Sequence, residues 1–139
     1  MGLKYLKRYK IFENDSEIQE ELNKLFLMSV NTDETELIDF FLDRGADINN
    51  HEAVYNVIQN QFSDLLEHLF KKGLKINKLE FSSSDARMFR NLEIQKVIMD
   101  AGYVRFLQEI VGDFSPSLYD DPHYSKIINK LKSMDRFGL

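Results

Sequence analysis

Side chains that could act as acids, bases or metal ligands are scattered along this sequence. The three histidines, His51, His68 and His123, lie far apart, and none has a second ligand four residues away, as a helical zinc motif requires. The run SSSD at 82–85 places serines beside an acid, but Ser and Asp ahead of a helix are typical of its cap. The pattern therefore predicts neither a metal site nor an activated serine.

Carboxylates that are close in sequence do not form a catalytic pair either. Two acids precede Pro122, where a turn favours them. Neighbouring acids on the predicted helices point in different directions and cannot share one proton. The pair before Pro122 is Asp120 with Asp121. The helical pairs are Glu20 with Glu21 and Glu34 with Glu36. The chain has no cysteine and no GxGxxG, GxxxxGK or GxSxG motif, so we expect no enzyme, no catalytic residue and no cofactor.

Length and composition indicate a folded, helix-rich chain that forms one domain. It has 139 residues, of which 43% are hydrophobic, 12% aromatic and 29% charged, with only two prolines. No apolar run approaches the roughly 20 residues of a membrane span, and the start MGLKYLKRYK lacks the apolar core of a signal peptide. The absence of cysteine favours a reducing compartment, so we expect a cytoplasmic protein.

Charge is divided unevenly along the chain, although the formal net charge is only −5. Residues 1–10 hold four bases and no acid, and residues 11–52 hold twelve acids against two bases. Such a negative block repels phosphate backbones and attracts cationic surfaces, which favours a protein partner with a basic surface over nucleic acid. The same acids would also suit a solvated helix face.

Three glycines mark a repeat, because Gly45, Gly73 and Gly102 are separated by 28 and 29 residues. The positions eight, seven, four and three residues before each glycine are apolar in eleven of twelve cases. They are Leu37, Ile38, Phe41 and Leu42, then Leu65, Leu66, Leu69 and Phe70, then Ile94, Gln95, Ile98 and Met99. This spacing predicts a short amphipathic helix that ends at the glycine. Predicted caps begin these helices at Asp33 with Glu36 as a capping box, at Ser63 and at Asn91.

A second helix is predicted ahead of each glycine-terminated helix. Its apolar residues are Leu25, Phe26, Met28 and Val30 in the first unit, and Ala53, Val54, Val57 and Ile58 in the second. Small or modest residues stand 16 positions before each glycine, namely Ser29, Val57 and Ala86, and suit close helix packing. Two antiparallel helices per repeat cannot bury both faces alone, so the units are expected to stack as a solenoid.

The segments GADIN at 45–49 and RNLEIQKVIMDAG at 90–102 resemble the second helix and turn of ankyrin repeats. The resemblance covers residues 24–106 and implies an all-α, ankyrin-like solenoid of about three degenerate repeats. The family's Thr-Pro-Leu-His signature is absent, since the matching stretches read KLFLMS and EAVYNV. The period is shorter than the usual ~33 residues, so we expect the hairpin fingers to be truncated between Asn50 and His51. The run SSSDAR lacks an aliphatic face, which predicts a short or irregular first helix in the third unit.

We expect three segments: a basic N-terminal segment or cap at 1–16, repeats at 17–106, and C-terminal capping helices at 107–139. Leu3, Leu6 and Tyr9 suit either a short cap helix or an arm. At the other end, Asp121 is expected to cap a helix that starts at Pro122. Its predicted inward residues are Tyr124, Ile127, Ile128 and Leu131, and its outward ones are Lys126, Lys130 and Lys132.

The resemblance implies a protein-binding module, which would act as an adaptor or a stoichiometric inhibitor, and a viral or bacterial effector would fit. One alternative is a self-assembling structural protein, so a monomer and a weak homo-oligomer are both open. A less favoured alternative is nucleic-acid binding through a cluster of bases and aromatics. These are Lys71, Lys72, Lys75, Lys78, Arg87, Arg90, Phe81 and Phe89.

The resemblance also indicates a binding surface after the small residues of each first helix. The mapped pairs are Asn31 and Thr32, Gln59 and Asn60, and Met88 and Phe89. Nearby Asp47, His51, Glu52 and Tyr55 extend this surface towards the acidic half. Met88 and Phe89 are either exposed anchors for a partner or folded inward to fill the space left by the serines.

Overall fold

The computed structural model describes residues 15–136, and every regular element in that range is a helix, with no strand. This confirms the all-helical class. The chain divides between Asp47 and Ile48 into two compact parts, whose described residues we call unit 1 (15–47) and unit 2 (48–136). The expectations for Leu3, Leu6, Tyr9 and the basic residues beside them lie outside the described residues. None of the described helices is long and apolar enough to cross a membrane.

Unit 1 consists of two helices, α1 (Asp15–Val30) and α2 (Thr35–Asp43), which pack against each other. Helix α1 also holds the turn that follows α2. The Gln19 amide donates a hydrogen bond to the Gly45 carbonyl over 2.8 Å, and Asn23 Oδ1 accepts the Asp47 N–H over 2.8 Å. The two ends of unit 1 are therefore joined by side-chain hydrogen bonds as well as by packing.

Unit 2 begins with the helical pair α3 (His51–Gln59) and α4 (Ser63–Lys71). Three short 3₁₀ turns follow, Ile76–Lys78, Ser83–Asp85 and Met88–Arg90. The remaining helices are α5 (Leu92–Asp100), α6 (Val104–Val111), α7 (Pro116–Asp120) and α8 (Pro122–Arg136). The expected short or irregular first helix of the third unit is thus a pair of 3₁₀ turns.

The three repeat glycines end their helices with the same hydrogen-bond pattern. Each glycine N–H donates to the carbonyl three residues earlier, and the next N–H donates to the carbonyl five residues earlier, over 3.0 to 3.1 Å. At Gly45, Gly73 and Gly102 the φ angle lies between +95° and +110°, which side chains with a Cβ rarely adopt. This is the Schellman closure of a helix, and it confirms the predicted helix ends.

The predicted helix starts are partly right. Asn91 Oδ1 accepts the Ile94 N–H over 3.0 Å, and Asp121 Oδ1 accepts the His123 N–H over 2.9 Å, as expected of caps. The capping box at Asp33 is wrong, because Asp33 has φ +59° and the cap position of α2 belongs to Glu34, which makes no side-chain cap bond. Ser63 is the first residue of α4 rather than its cap.

The predicted apolar stripes of unit 2 are buried except at Phe70, which is half-buried, whereas those of unit 1 are only partly buried. Leu65, Leu66 and Leu69 are at most 1% exposed. In unit 1, Leu37 is 39% and Met28 is 64% exposed, which corrects their assignment to the core. Met28 lies two residues from both buried Phe26 and Val30, so it faces the opposite side of α1.

Packing in unit 2 joins elements that follow one another in the chain and elements that are farther apart. Helix α4 packs against α5, while α3 packs against the turn Met88–Arg90, which in turn packs against α6. Helix α8 packs against α5, α6 and α7. The predicted boundary at residue 106 falls inside α6, because the helix already begins two residues after Gly102.

Candidate partner-binding surface

A groove of about 450 Å³ opens in unit 2 beside α3 and the segment 82–90. It is lined by Tyr55, Gln59, Gln61, Ser84, Asp85, Arg87 and Met88. Helix α3 contributes Tyr55 and Gln59, which are four residues apart and so lie on the same side of the helix. The lining combines an aromatic ring, a thioether, amides and one charge of each sign, which are groups that recognise protein segments.

Aromatic stacking ties α3 to the loop that leads into this segment. The His51 ring stacks on Phe81 with centroids 4.7 Å apart and an interplanar angle of 26°. His51 Nε2 lies 3.0 Å from the Glu80 carbonyl oxygen, so its N–H can donate to that oxygen. The Tyr55 ring lies 6.2 Å from His51 on the next turn of α3. The position of Tyr55 at the groove is therefore supported by a ring neighbour on its own helix.

Three phenylalanines, of which Phe89 is buried and Phe81 and Phe106 are half-buried, form a cluster at this loop. Phe81 meets Phe89 edge to face at 5.2 Å and Phe106 at 6.3 Å, and Phe89 meets Phe106 at 6.1 Å. Phe89 is 0% exposed. The side chain of Phe89 is therefore a core group, which corrects its place among the candidate contact residues.

Polar bonds hold the backbone of the segment 82–90. The Ser82 N–H donates to Asp85 Oδ2 over 3.0 Å, while the Ser84 N–H donates to Ser82 Oγ over 3.4 Å. Ser82 and Asp85 form a capping box, which bears out the capping role assigned to the SSSD run. The part of the groove that Ser84 and Asp85 line is therefore held in place by hydrogen bonds within this turn.

Gln95 holds the other end of this segment from inside the protein. It is 1% exposed, and its amide donates to the Phe89 carbonyl over 3.0 Å. Its Oε1 accepts the Ser115 N–H over 3.0 Å. Gln95 was the single polar residue in the aligned apolar stripes. Its amide thus gives a hydrogen-bond partner to one carbonyl of the segment and to one N–H at the start of α7.

The structure brings together only some of the residues of the predicted binding surface. Tyr55, Gln59 and Met88 line the groove, whereas His51, Glu52 and Asn60 are exposed on or beside α3. Asp47, Asn31 and Thr32 are exposed in unit 1, which is a separate compact part. The lining residues that were not part of the predicted binding surface are Gln61, Ser84, Asp85 and Arg87. SSSD was visible as a cap, but its place beside α3 depends on long-range packing.

A second cleft, of about 530 Å³, lies in unit 2 along α4 and α5. Phe70 stacks on Tyr103 there with centroids 5.5 Å apart. Tyr124 Oη donates to Asp100 Oδ2 over 2.9 Å, and His123 Nε2 lies 2.9 Å from Asp100 Oδ1. Burial first, and then the hydrogen bond and charge of Asp100, raise the pKa of Tyr124 to about 12. Both Asp100 oxygens are engaged, so this carboxylate serves as an anchor for α8.

Within residues 15–136, no group of three or more His, Asp or Glu side chains could hold a metal ion. The burial of Phe89 also removes one of the two aromatics on which the nucleic-acid alternative depends, because a base cannot stack on a ring that is 0% exposed. Comparison of the chain with protein-family models, with curated protein sequences and with solved structures finds no match.

Proposed function

We propose that this chain is a protein-binding module and that the groove beside α3 receives a segment of its partner. The observation that carries the proposal is the meeting of Tyr55, Gln59 and Met88 at one groove. The resemblance indicated Gln59 and Met88, in two different repeats, and Tyr55 was expected to extend the same surface. Tyr is also among the residue types that contribute most to binding energy at protein interfaces.

We propose further that the helical pairs form an ankyrin-like solenoid with truncated fingers. Three features support this. The same closure recurs at Gly45, Gly73 and Gly102; α4 packs against α5 as successive second helices would; and Asn49 Oδ1 accepts the Lys75 N–H over 2.8 Å, which links successive turns. In this proposal α8, which packs against α5, α6 and α7, is the C-terminal cap of the array.

Binding itself is then the output of the module, as an adaptor or as a stoichiometric inhibitor.

The test of the groove is a pull-down from the lysate of the native host with the full chain, followed by mass spectrometry. Tyr55→Ala with Met88→Ala is the test variant. Tyr119→Ala is the control, since Tyr119 is a 40% exposed tyrosine on α7 that takes no part in the groove. We expect the partner to be lost with the double variant and kept with the control. Equal recovery with both would contradict the groove as the binding site.

A further inference from the structure

Unit 1 presents an apolar surface that its own helices do not cover. Leu37 and Phe40 are three residues apart on α2 and are 39% and 45% exposed, while Ile38 is 0% exposed. A shallow hollow of about 290 Å³ is lined by Glu34, Glu36, Leu37 and Phe40. We call these four residues the α2 patch. It joins two large apolar side chains to two carboxylates.

Alignment of the repeats shows that the α2 patch lacks the covering that the matching positions of unit 2 have. The positions that match Leu37 in unit 2 are Leu65 and Ile94, and they are 1% and 0% exposed. The same structural position is therefore covered in unit 2 and open in unit 1. Burial of exposed Leu and Phe side chains is favourable, so an occupant with apolar side chains suits this face.

The charge around the α2 patch defines the other half of the occupant. Residues 15–47 hold ten acids against two bases, Lys24 and Arg44. The Arg44 guanidinium lies 3.4 Å above the centre of the Phe40 ring, and its Nη1 donates to the Phe40 carbonyl over 3.0 Å. A cation is thus already accommodated against this ring, while Glu34 and Glu36 lie at the hollow. An occupant whose charge is complementary to these carboxylates is basic.

We propose that the α2 patch binds a basic amphipathic helix of a partner protein. The apolar side of that helix covers Leu37 and Phe40, and its Lys or Arg side chains pair with Glu34 and Glu36. This inference rests on the proposed function of the chain as a protein-binding module, but it uses residues of unit 1 and none of the groove. The module then has two contact surfaces with different chemistry.

The test uses fluorescence anisotropy with the full chain and a labelled peptide of about 18 residues, or five helical turns. The peptide contains only Leu and Lys, with Leu at the spacing of one helix face. A control peptide has the same composition in an order that gives no apolar face. We expect the first peptide to bind at least about tenfold more tightly than the second, because only the first can cover Leu37 and Phe40.

Two sets of variants assign that binding to the α2 patch. Leu37→Ser with Phe40→Ser removes the apolar groups, and Glu34→Gln with Glu36→Gln removes the charges while leaving the core untouched. We expect each pair to weaken the binding of the first peptide about tenfold, the second pair most strongly at low salt. Met28→Ser, at a 64% exposed position of α1, is the matched control and is expected to bind as the wild type does. Melting followed by circular dichroism checks that each variant is folded.

Three results would overturn the inference. The first is equal affinity for both peptides, and the second is unchanged affinity in both variant pairs. The third concerns residues 1–10, which hold Lys4, Lys7, Arg8 and Lys10 beside Leu3, Leu6 and Tyr9. If the peptide binds only after residues 1–10 are deleted, the occupant is this chain's own basic segment and not a partner. Loss of peptide binding in Tyr55→Ala with Met88→Ala, but not in the α2 patch variants, would contradict this inference and leave the groove proposal standing.

Discussion

The side-chain amide of Gln95 donates a hydrogen bond to the backbone carbonyl of Phe89 over 3.0 Å, from a position that is 1% exposed. The same side chain accepts the Ser115 N–H. Through these two bonds α5 fixes both the turn Met88–Arg90 and the start of α7. The position of this groove wall therefore depends on Gln95, a buried polar residue that does not itself line the groove.

Replacement of Gln95 by Leu is expected to destabilise the protein by roughly 2 to 4 kcal/mol. Leu has a similar volume but leaves the buried Phe89 carbonyl and the half-buried Ser115 N–H without their partner. Urea unfolding followed by circular dichroism measures the change. Gln108→Leu on α6 is the control, because Gln108 is only half-buried, and it is expected to change the free energy of unfolding by less than about 1 kcal/mol. Similar losses in both variants would contradict the role given to Gln95.

Phe89 and Met88 are adjacent but should respond differently to truncation. Phe89→Ala removes a 0% exposed ring from the phenylalanine cluster and is expected to cost about 3 to 5 kcal/mol of stability. Met88→Ala changes a half-buried side chain at the groove and is expected to cost much less, while weakening partner binding. Thermal unfolding of the two variants makes the comparison. A melting temperature for Phe89→Ala equal to that of the wild type would mean that the ring is not in the core.

Gly73→Ala tests the closure that recurs after α2, α4 and α5. No atom lies within 4 Å of a Cβ added at Gly73, so the expected cost comes from the backbone, whose φ is +110°. We expect a loss of about 1 to 2 kcal/mol. Lys72→Ala, one residue earlier and exposed, is the control and should be close to neutral. Calorimetry can compare the two, and an unchanged stability in Gly73→Ala would argue against a strained position.

Tyr124 should make stability fall in alkaline solution. Its pKa is about 12 in the folded protein, above the value of 10.0 for an ordinary tyrosine. A group whose pKa is raised on folding stabilises below its unfolded pKa, and this contribution is lost as pH rises from 10 through 12. Tyr124→Phe cannot ionise or bond Asp100, so it is expected to be less stable near neutral pH but to lose less between pH 10 and 12. Denaturant unfolding across that range provides the measurement, and a loss of stability in Tyr124→Phe as large as that of the wild type would contradict this role of Tyr124.

The sequence predicted best those features that depend on local backbone chemistry. The helix ends at Gly45, Gly73 and Gly102 were predictable because a glycine after an apolar helical stripe typically adopts the left-handed conformation that ends the helix. Asn91 and Asp121 were recognisable as caps for the same reason. Asp33 was not, because the turn between α1 and α2 gives it φ +59° and moves the cap position to Glu34.

Features that depend on contacts between distant residues could not be read from the pattern. The spacing placed Leu37 and Leu65 in equivalent positions, but it could not show that one is 39% and the other 1% exposed. Gln95 was an exception in an apolar stripe, and nothing local indicated that the Phe89 carbonyl and the Ser115 N–H would meet it. The groove likewise required α3 and the segment 82–90 to lie side by side.

The side-chain hydrogen bonds that connect separate elements of unit 2 have a consequence for the course of folding. Asn49 to Lys75, His51 to Glu80, Gln95 to Ser115 and Asp100 to Tyr124 span 26, 29, 20 and 24 residues. Each closes a loop of about one repeat, so little chain entropy is lost before the bond forms. The widest of these spans is 29 residues, whereas the described part of unit 2 runs from residue 48 to residue 136, so none of these bonds requires the two ends of unit 2 to meet. Unit 2 is therefore expected to form by addition of one helical pair to the next, with no step that waits for its two ends to meet.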